Sequence, residues 1–178
     1  MARLATVALS HRDNLSQGHS RRVFGCDAFH WGIVVMPENS HGRDCNAYEA
    51  TDASEIDPVT FRMNNPHMDW WLRTREQIDP EVSSKLIGRV VIGQIPENVS
   101  DSQLHDFFLS IPLPVKNTNP QQSCVTWTVN AILALQSQNW AWNFDVEPFK
   151  VWALVYADKR MSGLDSKLPK VVTYSARN

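Results

Sequence analysis

Long apolar runs are missing from this sequence: the longest unbroken one, residues 151–157, has seven residues, against the roughly 20 that a membrane-crossing helix needs. The first ten residues lack the apolar core and small-residue cleavage site of a secretory leader, so they are expected to belong to the mature protein. Cysteine is scarce and odd in number. Cys26, Cys45 and Cys124 show no Cys-x-x-Cys spacing, which argues against a disulfide framework and a cysteine-rich zinc site and points to a reducing, cytoplasmic setting. His11, His19, His41, His67 and His105 have no ligand-type spacing either, so neither a metal nor another cofactor is expected. A basic excess is also absent. Residues 1–89 carry 10 Lys/Arg against 12 Asp/Glu, residues 90–178 carry 7 against 7, and the net charge is −2; nucleic acid is not an expected partner.

What is present is core-forming material. In 178 residues, 43% are apolar and 7 are Trp, enough for one globular domain spanning residues 1–178 with a core over about 4–160. The first half reads as strands: residues 4–9, the β-branched and aromatic stretch 29–36, a return strand at 46–52 beyond the Pro37 to Gly42 turn cluster, then 69–78 and 86–95. Residues 11–22 read as a loop. The second half changes period. Ser100 and Gln103 have the capping-box spacing ahead of Leu104, Phe107, Phe108 and Ile111, and Pro112 stops that helix. Ser123 is placed to cap a helix over 124–137, and a third helix is expected over about 147–161, with Gly163 after it. The expected class is α+β, an antiparallel sheet packed with about three helices.

Cys124 opens the second of these helices, where unpaired backbone N–H groups and the positive end of the helix dipole favour a thiolate and offer an oxyanion donor. Taken alone, it reads first as a small buried hydrophobe. His30 shares a strand face with Gly32 and Val34; Gly32 leaves room there for a substrate or for a second side chain. On the return strand, Ala47, Glu49 and Thr51 share one face. A register placing residue 49 or 51 opposite His30 brings Glu49 to the imidazole, and a one-residue slip turns it away. The sequence leaves both open. Trp31 and Trp127, like Trp70 and Trp71, are candidates to wall a substrate pocket or to fill the core.

These elements carry a resemblance. A His-Trp-Gly-Ile-Val-Val strand, a second strand with a polar residue, a long insertion and a helix opening Ser-Cys-Val-Thr-Trp-Thr resemble, over residues 4–160, the circularly permuted NlpC/P60 papain-like proteins. That group includes the lecithin:retinol acyltransferase-like and PPPDE peptidase-like families, and the match is nearest to fungal proteins in which a His-Trp strand precedes a Cys-x-x-Trp helix. The resemblance implies Cys124 as nucleophile, His30 as base, Glu49 as third catalytic residue, Trp31 and Trp127 at the substrate, and a permuted papain-like architecture. The implied activity is Cys/His-dependent acyl transfer, by a hydrolase or acyltransferase, on a small-molecule or peptide amide, ester or thioester. In lecithin:retinol acyltransferase relatives the third position is commonly His and the helix motif is Asn-Cys-Glu-His-Phe; here it is Ser123-Cys-Val-Thr-Trp127. Two other readings stay open: a non-catalytic module binding a small molecule or peptide, and a non-covalent acid/base enzyme using His30 and Glu49.

Overall fold

Alternation of large apolar side chains with smaller or polar ones builds the central sheet. The computed structural model describes residues 2–163 and 167–175. Its strands, in chain order, are β1 (Arg3–His11), β2 (Phe29–Pro37), β3 (Cys45–Thr51), the short β4 (Glu55–Ile56) and β5 (Met63–Asn64), β6 (Trp71–Ile78), β7 (Leu86–Ile95) and β8 (Val171–Thr173). Six of them form one sheet in the order β6-β3-β2-β1-β7-β8. Every pairing is antiparallel except that of β8 with β7. The helices are α1 (Gly18–Phe24), α2 (Asp101–Leu109), α3 (Cys124–Ser137) and α4 (Val146–Ser162). The class is therefore α+β, and among the described residues no helix is long and apolar enough to cross a membrane.

One sheet face is the main core. Phe29, Trp31, Ile33 and Val35 of β2 belong to the same buried cluster as Ala131, Ile132 and Leu135 of α3 and Phe149 and Ala153 of α4. Aromatic edges and faces lock the layers: Trp31 meets Phe149 at 6.5 Å and Tyr48 stacks on Phe108 at 4.3 Å between ring centroids. The opposite face carries a smaller cluster of Val34, Met36, Cys45 and Ala47. His30 and Gly32 alternate onto this second face, at the beginning of β2.

The helix expected at 100–111 forms with both halves of its capping box: Gln103 N–H donates to Ser100 Oγ (3.2 Å), and Ser100 N–H donates to Gln103 Oε1 (2.8 Å). Four elements depart from expectation. Residues 11–22, loop-like in sequence, contain a 3₁₀ turn (Asp13–Ser16) and most of α1. Neither segment has a side-chain N-cap. Instead α1 is tied to α4 by a bidentate pair, Arg21 Nε and Nη2 to the Asp158 carboxylate at 2.7 and 2.6 Å, so a distant residue supplies what local sequence lacks. The β4–β5 hairpin lies between the strands expected at 46–52 and 69–78, where no element is expected. The fourth departure is β8, beyond the expected core; Arg89↔Val171 begins its parallel register on β7.

Candidate active site

The start of α3 sits against the start of β2. Ser123 caps the helix, its Oγ accepting from Val125 N–H (3.1 Å) while its own N–H donates to Thr126 Oγ1 (3.0 Å). The same hydroxyl donates to Asp27 Oδ1 at 2.5 Å, and Asp27 lies in the 3₁₀ turn Gly25–Ala28 that leads directly into β2. This bond couples the segment before His30 to the residue before Cys124. Cys124 is 4% exposed; its Sγ lies 4.0 Å from Phe29 O, and it lines the same cleft as His30. Among the described residues the Cys124 backbone N–H donates to no acceptor.

Glu49 reaches His30 diagonally. The β2–β3 register pairs Ile33 with Tyr48 and Val34 with Ala47, which puts Glu49 beside Gly32 rather than opposite His30. A Cβ on residue 32 would stand 3.0 Å from Glu49 Cβ and 3.2 Å from Tyr48 O. The space left by Gly32 is thus filled by a second side chain, and Glu49 passes over it to place Oε2 2.5 Å from His30 Nε2. The other carboxylate oxygen, Oε1, accepts from Arg73 Nε and Arg75 Nη2, each at 2.8 Å. Arg73 and Arg75 alternate on β6, whose register sets Arg73 against Glu49.

Charges in this cluster hold one another. Burial by itself would push the His30 imidazole down, but Cys124 and the Glu49 carboxylate outweigh it and raise the pKa to about 9. Burial would push Glu49 up; hydrogen bonding and charge from His30, then Arg73 and Arg75, hold it at about 2. A 6%-exposed carboxylate is tolerable here because it is paired and hydrogen-bonded on both oxygens. With Nε2 engaged by Glu49, Nδ1 is the imidazole nitrogen left for the thiol.

Cys124, His30 and Glu49 all line one cleft of about 770 Å³, together with Asp27, Arg12 and Trp70. Trp31 and Trp127 do not line it. Both are 0% exposed and belong to the main core, because each points into the sheet–helix interface rather than along the helix end; Trp70 and Phe24 supply the aromatic wall instead. The other two thiols are set apart. Burial pushes Cys26 up and raises Cys45 to about 11, so both are held as neutral thiols. Among the described residues no group of three or more His, Cys, Asp or Glu side chains could hold a metal ion.

Asp27, Arg73 and Arg75 are site residues that sequence reasoning missed. The i,i+2 arginines on a strand were a usable signal, since they place two cations on one face, whereas nothing local announces that this face meets Glu49. Residues 3–162 match the profile of a family of unknown function, DUF6914. The chain belongs to that family. The DUF6914 match spans β1 to the end of α4 and contains every residue of the His30–Glu49–Cys124 cluster. No curated protein and no solved structure matches the chain.

Proposed function

We propose that this DUF6914 protein is a cysteine-dependent acyl-transfer enzyme, a hydrolase or acyltransferase, on a permuted papain-like architecture. The observation that carries the reading is the convergence of Cys124, His30 and Glu49, from three different elements, on the wall of one cleft. A cation beside a sulfur at a helix N-terminus favours the thiolate, and His30 is such a cation up to about pH 9. With the thiol proton already on His30, the Cys124 sulfur attacks the carbonyl carbon as thiolate, and the unpaired Cys124 N–H stabilises the oxyanion. Collapse breaks the bond to the leaving group, which takes the proton back from His30, and leaves a thioester on Cys124. Water or another nucleophile, deprotonated by His30, then releases the acyl group. Glu49 positions the ring and stabilises its cation without changing protonation itself. The substrate is a small-molecule or peptide acyl donor, and the three free cysteines fit the cytoplasm.

The test is intact-mass analysis of the purified protein with 4-nitrophenyl acetate. The wild type gains one acetyl group, which hydrolysis or an added amine removes; Cys124→Ala gains none. Equal acylation of wild type and Cys124→Ala contradicts the assignment. Turnover retained in Cys124→Ser favours non-covalent acid/base chemistry instead.

A further inference from the structure

The sheet face turned away from the helices carries a groove of about 540 Å³ that shares His30, Glu49, Arg75, Ser10 and Ser83 with the cleft. It runs from His30 past Gly32 to Val34, flanked by Ala8 of β1 and Ala47 of β3 and bounded by Val82 and Leu86. His30 to Val34 is about 13 Å of extended backbone, the reach of a chain of roughly eight to ten carbons. The middle of the groove is apolar. Arg43 stands at its far end, just ahead of β3. Arg43 Nε donates to Gln77 O at 3.0 Å, and no described carboxylate pairs with its guanidinium, so two amino groups remain for a ligand. Besides Glu49, the acid lining the groove is Asp79, whose Oδ1 accepts from Glu81 N–H (3.0 Å) as the cap of a 3₁₀ turn.

We infer that this groove is the acyl subsite and that it takes an acyl group with an apolar body and an anionic distal end, the body over Val34 and Ala47 and the anion on Arg43. The inference rests on the acyl-transfer reading for its chemistry, since the carbonyl must lie at Cys124 for the tail to enter beside His30. The bond between carbonyl carbon and leaving group breaks, the thioester forms, and water then restores the thiol and releases a diacid. An uncharged tail of equal length fills the same apolar stretch and leaves Arg43 without its partner.

The experiment compares the mono-4-nitrophenyl ester of suberic acid with 4-nitrophenyl octanoate and 4-nitrophenyl acetate. The wild type should prefer the suberyl ester over the octanoyl ester by roughly tenfold in kcat/KM, the scale of one charge-assisted contact. Arg43→Ala should erase that preference, Arg43→Lys should restore part of it, and neither should alter acetate turnover. Ala47→Phe, which fills the groove, should slow both long esters relative to acetate. If both long esters react equally and Arg43→Ala changes nothing while acetate still acylates Cys124, the subsite is overturned and the thiol reading stands. If no ester acylates Cys124, the thiol reading fails, and calorimetry of monomethyl suberate on Cys124→Ala decides the groove. Saturable binding weakened by Arg43→Ala supports it; absence of binding overturns it.

Discussion

At the scale of single residues, Gly32 decides whether the imidazole has a partner. Because a Cβ there would press on Glu49 Cβ and Tyr48 O, Gly32→Ala should push Glu49 off His30, cost about 1–3 kcal/mol in urea unfolding and lower acylation of Cys124 at least tenfold; an unchanged rate would separate Glu49 from the chemistry. The ion cluster also fixes a pH dependence. His30 is raised from 6.5 to about 9, so its stabilising contribution is complete below about pH 6.5 and is lost as pH rises through 9. Glu49 is lowered from 4.5 to about 2, so its contribution is complete above about pH 4.5 and is lost as pH falls through 2. The stability deficit of Glu49→Gln against wild type, read from urea titrations across pH, should therefore be largest between about pH 4.5 and 6.5 and shrink on both sides. A deficit that does not vary with pH would mean the pair is not ionised as described.

At the scale of elements, the junction of the Gly25–Ala28 turn with α3 aligns base and nucleophile. Asp27→Ala removes the acceptor that tethers Ser123 Oγ while leaving Ser123 able to cap Val125 N–H. It should cost about 1 kcal/mol and slow Cys124 acylation more than it destabilises the fold, and Asp27→Asn should recover part of the rate. Loss of stability with an unchanged rate would make the tether purely structural. The same junction shows what could be read from sequence. Ser123 as cap and Cys124 at the first helical position follow from local chemistry, and His30 on a strand follows from its β-branched neighbours. The Asp27 contact spans 96 residues, and nothing in either segment encodes it. Glu49 was recognisable as a candidate but not as a partner, because its position depends on strand register.

Over the whole molecule, hydrophobic periodicity was sufficient to recover five of the strands and the three longer helices, since burial of alternate or i,i+3/i,i+4 positions is what selects those elements. Apart from β3, readable as the return strand of β2, strand neighbours were not readable: β6 lies beside β3 and β8 beside β7 through pairings that only the folded sheet defines. That is why Arg73 and Arg75, on β6, went unrecognised, and why Trp31 and Trp127, both inside the sheet–helix interface, read as possible cleft walls. The tertiary arrangement separates three chemically similar thiols: Cys26 and Cys45 are held neutral, and Cys124 lines the cleft with His30. The most direct measurement of that separation is the rate of iodoacetamide alkylation of each cysteine between pH 6 and 9, followed by peptide mass in wild type and His30→Ala. Cys124 should react at least tenfold faster than Cys26 and Cys45 near neutral pH, and His30→Ala should remove that advantage; equal rates for all three cysteines in the wild type would contradict the account.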